Sequence, residues 1–400
     1  MVGRRAKVSG KSERLSRLAQ VSPDLSDDYM TLKLLAAGLA RMQLNQQNSL
    51  WSTPSPLTDS VGLPAAWNVG VTRLWWRALE RGQRELVGHM EAFGWCRTPL
   101  GEWPIELDIR ESDADLMLIE NGRPSAFADQ AARLAPAKDP EAELIENRCY
   151  EFLILTAERN AAGEKEVQDN YVALRGFLIA NPLVSDLQFH SLIRRFGVKD
   201  RNGQPWVKEW FLRCYRPRQA SGVVHVAVCG DCGNPLASNS TGCGTPGCDG
   251  LPTARMVEAM GEYYVQRQAV RRYFHDPGLA EQRILDALSP VLRDRLYPWW
   301  CMDAVDAAID FGGTGRMGEG EWWAADVKDH ASAALLGQSF RWDARANAQC
   351  RFLVLAQHRF DRPEYVNDLT REMEGRTQGV RVVSEEAFIE LACARARECR

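Results

Sequence analysis

Residues 303–329 constrain this chain more tightly than any other segment. The stretch D-A-V-D-A-A-I-D-F runs into a glycine-rich segment, G-G-T-G-R-M-G-E-G, and the chain then returns as W-W-A-A-D-V-K-D. Two alternating runs flanking such a segment read as a β-hairpin. Side chains alternate faces along a strand, so Asp326 and Lys328 share one face while Ala325 and Val327 point to the other. On the first strand Asp306 shares a face with Ala308 and Asp310, and Val305, Ala307 and Ile309 point into a core. Position 316, in the middle of the glycine-rich stretch, is equidistant from 306 and 326. A symmetric hairpin therefore sets Asp306 across from Asp326. Asp303 has the wrong parity to join them unless a bulge intervenes. Asp310 has the right parity but sits nearer the turn.

Two carboxylates held close together repel unless a cation lies between them. Hard oxygen ligands favour Mg2+ or Mn2+. Such an ion would polarise a scissile phosphate and lower the pKa of a bound water. Lys328 would orient that water or stabilise the added negative charge of the transition state. An acid on one strand and acid-x-lysine on its neighbour is thus the minimal set for metal-dependent cleavage of a phosphodiester. The competing reading is a solvated strand face, where Asp-x-Lys triplets are common.

The second constraint is a cysteine cluster. Residues 223–250 read V-V-H-V-A-V-C-G-D-C-G-N-P-L-A-S-N-S-T-G-C-G-T-P-G-C-D-G. Cys229 and Cys232 form C-x2-C, and Cys243 and Cys248 form C-x4-C. Glycine follows Cys229, Cys232 and Cys243, which suits tight turns that aim backbone amides at sulfur. Two short loops that each offer two thiolates to one Zn2+ describe a zinc ribbon, and four thiolates close the site, so the metal is structural. A disulfide pair or an iron–sulfur centre is the alternative. His225 is a weaker ligand because it lies on the apolar approach strand. The chain has 11 cysteines, an odd number, and those outside the cluster are scattered singly, which fits a reducing compartment.

The chain has 400 residues, enough for two or three domains. Its hydrophobic fraction of 45% and charged fraction of 26% are ordinary for a globular protein. Net charge is −4, from 49 basic and 53 acidic residues, so any nucleic-acid contact must come from local patches. No run reaches the apolar length of a membrane span, and the basic start lacks the apolar core of a secretory signal. A cytoplasmic location is expected, with no membrane contact.

Residues 1–27 read as a flexible basic arm. Residues 28–220 read as a helical region, with Leu32, Leu35, Ala36 and Leu39 at helical spacing and later Trp75, Trp76 and Leu79. Within it, N-P-L-V-S-D-L-Q-F-H-S-L-I-R-R-F-G opens on an Asn-Pro break and a Ser-Asp cap. A short helix followed by a basic one near 180–216 would suit a helix-turn-helix, with Arg194, Arg195 and Lys199 as the basic face. An ordinary bundle with solvated basic residues is the commoner arrangement. The zinc ribbon spans 221–252. Residues 253–276 read as a linking basic helix that puts Arg267, Arg271 and Arg272 beside tyrosines, a mixture suited to a nucleic-acid groove. Arginines snorkelling from a helix give the same pattern.

From residue 277 to 400 the expected order is a helix, the hairpin, a helical stretch around 331–349, a buried strand C-R-F-L-V-L-A, a last strand and a terminal helix. This αββαβ order resembles the PD-(D/E)XK restriction-endonuclease-like fold. The whole chain is then α+β or α/β and multidomain. The resemblance implies that Asp306, Asp326 and Lys328 hold Mg2+ or Mn2+ and complete a catalytic site, and that Glu281 is the glutamate many members add from the first helix. A helical N-terminal region, a zinc ribbon and a nuclease domain with A-A-D-V-K-D are also similar to the nuclease encoded beside prokaryotic PIWI-RE proteins and a helicase. That resemblance implies an endonuclease in antiviral or antiplasmid defence, a DNA or RNA–DNA hybrid target, and a PIWI-type protein and a helicase as partners. A homodimer is expected if one such site is to cut both strands. A second reading, a catalytically inactive binding or scaffold subunit on the same fold, predicts binding without cleavage. A third, a zinc-ribbon transcription regulator, predicts sequence-selective duplex binding.

Overall fold

The computed structural model describes residues 28–49, 63–80, 82, 87–135, 140–236, 242–248, 253–374 and 379–399. The arm expected over 1–27 lies outside them. Among the described residues no helix is long and apolar enough to cross a membrane. The chain divides into two compact units, 1–138 and 139–400.

The first unit is built on helices α1 (Asp28–Ser49), α2 (Ala65–Glu80) and α3 (His89–Trp95), followed by a small hairpin, β1 (Ile119–Glu120) with β2 (Arg123–Pro124), and α4 (Ala126–Arg133). The spacing read from α1 is the buried stripe: Leu32, Leu35 and Ala36 have no exposed surface and Leu39 is buried. In α2 the buried residues are Trp67, Val71, Leu74 and Ala78, whereas Trp76 and Leu79 are exposed, so the stripe there is shifted from the expected one. Two glycines let α1 and α2 approach closely. A Cβ on Gly38 would lie 2.5 Å from Trp67 Cβ and 2.8 Å from its backbone, and one on Gly70 would lie 2.8 Å from Leu35. Alanine gains up to about 1 kcal/mol of helix propensity over glycine. A backbone clash outweighs that, so Gly38→Ala is expected to destabilise this unit by about 1–3 kcal/mol, read as a lower midpoint in urea. Asp28 braces the unit by accepting from Arg77 Nη2 at 2.9 Å and from the Asp108 backbone N–H at 2.6 Å.

The second unit opens with α5 (Pro140–Arg159), α6 (Glu164–Ala180), β3 (Leu183–Ser185), α7 (Asp186–Arg195) and α8 (Trp206–Cys214). The expected cap is present at α7. Ser185 Oγ accepts from the Gln188 N–H at 3.3 Å, and Gln188 Oε1 accepts from the Ser185 N–H at 2.9 Å. Near 180–216, where a helix-turn-helix is expected, two helices, α7 and α8, follow one another across a ten-residue connector. The connector 196–205 is pinned by a β-bridge between Lys199 and Pro205, and α8 buries Val207, Trp210, Phe211 and Cys214 in the unit's main core. Phe211 stacks on Tyr215 with ring centroids 4.4 Å apart. Arg194, Arg195 and Lys199 are exposed.

Two long strands follow, β4 (Tyr215–Val228) and β5 (Arg255–Gln266), paired antiparallel, with β3 on the outer edge of β5. This corrects the helix expected over 253–276, since only 268–275 is helical before the next long helix. Tyr263, Tyr264 and Val265 favour a strand, and β5 finds partners on both edges, which a helix would forgo. The helical region therefore ends at Cys214, before residue 220, and β4 and β5 form the two arms that carry the cysteine loops.

The remainder is α9 (Asp276–Leu292), β6 (Leu296–Trp299), β7 (Val305–Asp310), β8 (Trp322–Lys328), α10 (Ala333–Ser339), β9 (Cys350–Leu355), α11 (Pro363–Met373), β10 (Val380–Ser384) and α12 (Glu385–Glu398). Its sheet has the order β10-β9-β8-β7-β6; β8, β9 and β10 run parallel, while β7 is antiparallel to both neighbours. The chain is thus a mixed α and β protein. Strand β6 and helix α11 are additional to the expected order, and the helix expected over 331–349 is confined to Ala333–Ser339. Every residue of β7 is buried. Ala307 and Ile309 pack with Ala325 and Val327 against Ile284 and Leu288 of α9 and Phe388 of α12. On the opposite side Ala308, Trp322 and Ala324 form a second apolar layer with Ala346.

Candidate active site and metal centre

The hairpin β7–β8 pairs in the symmetric register: Ala307 with Ala325, Ala308 with Ala324, Ile309 with Trp323 and Asp310 with Trp322. One further step sets Asp306 opposite Asp326. The ladder stops there, and the Asp306 carboxylate takes over, accepting from the Val327 N–H at 2.7 Å through Oδ2. Strand β8 continues alone against β9 as far as Lys328 opposite Leu355. The two acids thus stand where the hairpin pairing ends. Lys328 Nζ donates to Asp326 Oδ1 in a close ion pair. Asp310 has a different job at the other end of the strand: its two oxygens accept from the Gly313 and Gly315 N–H groups at 2.7 and 2.6 Å and fold the turn.

Burial raises the Asp306 carboxyl well above its ordinary range, and Glu281 and Asp326 add to the rise, against Lys328 and Arg175. Burial alone would lower the Lys328 ammonium, but Asp326 and Asp306 reverse this and raise it, so it stays charged. Lys328 is therefore fitted to stabilise charge rather than to accept a proton.

Glu281 lies on the buried side of α9 and is already engaged. Arg175 Nη2 donates to both its oxygens, at 3.1 and 2.9 Å, and Trp299 Nε1 donates to Oε2 at 2.5 Å. Sequence reasoning missed Arg175, which comes from α6 and is held among three acids. Besides Glu281 it pairs with Asp303 and lies 3.9 Å from Asp306 Oδ1. Asp303, excluded by strand parity, enters because the backbone there leaves the strand: Trp299, Cys301, Met302 and Asp303 have φ of 44, 52, 51 and 67°. Left-handed backbone at non-glycine residues re-aims the side chains. Tyr171 Oη donates to Asp303 Oδ2 at 2.5 Å.

A divalent ion fits the Asp306–Asp326 pair by its chemistry. The carboxyl of Asp306 is desolvated and crowded by like charge, which a cation relieves. Mg2+ keeps several waters and takes one or two carboxylates together with substrate phosphates. A cage of three acids is not required, and among the described residues the acids do not form one, since only the cysteines make a cluster of three or more ligand groups within ligating distance.

The four cysteines converge from the ends of β4 and β5. The sulfurs of Cys229, Cys232, Cys243 and Cys248 all lie within 4.8 Å of one another, with Cys229 and Cys248 at 3.5 Å. Tetrahedral zinc–thiolate bonds of about 2.3 Å put sulfurs roughly 3.8 Å apart, so the set fits one zinc. Gly233 and Gly244 have φ of +74 and +71°, which explains glycine after Cys232 and Cys243. Gly230, after Cys229, is needed for room: a Cβ there would lie 2.3 Å from the Thr253 carbonyl oxygen. His225 is outside the cluster and pairs with Glu258 across the strands at 3.5 Å.

The cysteine loops dock on the start of α9. Asp276 Oδ1 accepts from Asn234 Nδ2 at 3.2 Å, Thr245 Oγ1 at 3.0 Å and Arg271 Nε at 3.3 Å. Arg271 also donates to the Cys243 carbonyl at 2.7 Å, and Arg267 to the Leu212 carbonyl at 3.2 Å. Arg267 and Arg271, expected on a nucleic-acid face with Arg272, are thus committed to protein carbonyl and carboxylate groups. Gly247, at φ +64°, lies against the His358 ring, so the second cysteine loop also touches the segment after β9.

No curated protein and no solved structure matches the chain. Residues 278–400 match the family model described as REase associating with pPIWI_RE. Residues 31–185 match the model described as pPIWI_RE three-gene island domain Y. The chain therefore carries, in one polypeptide, segments similar to two families named for the pPIWI_RE system.

Proposed function

We propose that this protein is a Mg2+- or Mn2+-dependent endonuclease of a pPIWI_RE defence locus, acting on DNA or an RNA–DNA hybrid. The observation that carries this reading is the acid pair at the end of the β7–β8 ladder, with Lys328 ion-paired to Asp326. Asp306 and Asp326 would hold the ion, which polarises the scissile phosphate when bound. Lys328 stays protonated and stabilises charge on the phosphate oxygens. The arrangement αβββαβαβα around a mixed sheet supports a restriction-endonuclease-like core, as does the match to a family named as REase. Zn2+ on Cys229, Cys232, Cys243 and Cys248 would be structural, locking the β4 and β5 arms to α9. A PIWI-type protein and a helicase of the same locus are the proposed partners.

A cleavage panel of supercoiled plasmid, linear duplex, single strands and RNA–DNA hybrid in Mg2+ and in Mn2+ tests this reading and identifies the substrate. Divalent-dependent cleavage of at least one substrate is expected. Tight binding of the panel with no cleavage in either ion would instead favour a scaffold subunit on the same fold.

A further inference from the structure

Arg175 is an unusual group to find beside a metal site. Its side chain is 8% exposed, deep among Glu281, Asp303 and Asp306. Nη2 binds both oxygens of Glu281, Nη1 binds Asp303, and the guanidinium lies 5.5 Å from the Trp299 ring centroid. Arg175 Nε and Asp303 Oδ1 are buried without a hydrogen-bond partner, so the pocket holds more donor and acceptor capacity than the present contacts use. Glu281, Asp303, Asp306 and Asp326 carry four negative charges when ionised, against the two positive charges of Arg175 and Lys328. The remainder equals one divalent ion. Without Arg175 the remainder would call for more.

We infer that Arg175 is a resident cation of the site: its guanidinium fills, on Glu281 and Asp303, the place of a second divalent ion and confines the metal to Asp306 and Asp326. This rests on the metal-dependent reading above. Arg175 is then a positioning residue, and Glu281 is its anchor rather than a metal ligand. The site is also composite. Arg175 and Tyr171 lie in the segment that matches domain Y, whereas Glu281, Asp303 and Asp306 lie in the segment that matches the REase family. The domain Y segment supplies the charge that sets how many ions its neighbour takes.

Metal counting on the zinc-loaded full-length protein tests this. Bound Mn2+ is titrated by electron paramagnetic resonance, beside circular dichroism as a check on folding. The wild-type protein is expected to take one Mn2+, lost in Asp306→Ala. Arg175→Met is expected to take two, and Arg175→Lys, which restores a cation, to return to one. Glu281→Gln is expected to keep one Mn2+, because Asp306 and Asp326 are still present to hold it. A folded Arg175→Met that takes one ion with wild-type affinity would overturn the inference. So would loss of Mn2+ in Glu281→Gln, or two ions in the wild type, and both of these decide the matter even if Arg175→Met does not fold. Mn2+ binding that is unchanged in Asp306→Ala would instead sink the metal-site reading, and the inference with it.

Discussion

Lys328→Ala is expected to lower divalent-dependent cleavage by about 10²–10³-fold, the usual loss when one preorganised charge at a reacting oxygen is removed. Asp326→Ala is expected to lower it further, because it removes a ligand of the ion and the partner of Lys328 together. Lys328 is held protonated by Asp326 and Asp306 against the opposing effect of burial, so its removal deletes a positive charge at the proposed metal site and not a base. Both substitutions lie where the β7–β8 ladder has already ended, and the core contacts of Ala325 and Val327 are untouched. Folding should survive, and nucleic-acid affinity measured in chelator should stay within a few-fold of wild type. Initial rates with saturating Mg2+, beside a binding isotherm in chelator, check this. Rates equal to wild type would remove Asp326 and Lys328 from the site.

The second large effect concerns zinc. The purified chain is expected to carry one zinc, and Cys232→Ser or exhaustive chelation is expected to cost the second unit several kcal/mol, given that structural zinc contributes about 10–16 kcal/mol of binding to small zinc domains. The loss should reach beyond the loops. Asn234, Thr245 and Arg271 fasten them to Asp276 at the first turn of α9, and the same helix carries Glu281. Thermal melts with and without zinc, and zinc content by mass spectrometry, measure this. Serine at 232 with an unchanged melt would show that the cysteines do not hold a structural metal.

Where periodicity and turn chemistry decide the structure, the sequence was readable. Alternation and the glycine-rich stretch gave the β7–β8 hairpin and its register, and the C-x2-C and C-x4-C spacing gave four converging sulfurs. The helix read over 253–276 failed because helical spacing was inferred from a segment whose strand partners lie far away in sequence. Parity excluded Asp303, yet left-handed backbone at 299–303 turns it toward Arg175, and no periodicity argument anticipates such a break. Arg175 itself stood among many charged residues of an amphipathic helix. Its partners Glu281 and Asp303 are 106 and 128 residues away, and only the fold brings them together. Glu281 lies on the buried side of α9, and its engagement by arginine and tryptophan rather than an open ligand position could not be read from one helix alone.

Asp306, Asp326 and Lys328 are proposed to form a metal-dependent phosphodiester-cleaving site. The most direct measurement is nicking of supercoiled plasmid and cutting of an RNA–DNA hybrid by wild type and Lys328→Ala, purified in parallel and assayed in Mg2+, in Mn2+ and in chelator. Cleavage by the wild type in either ion, abolished by chelator and reduced about a hundredfold or more in the variant, is the expected result. Equal cleavage by the two preparations, or none by either in both ions, would contradict it.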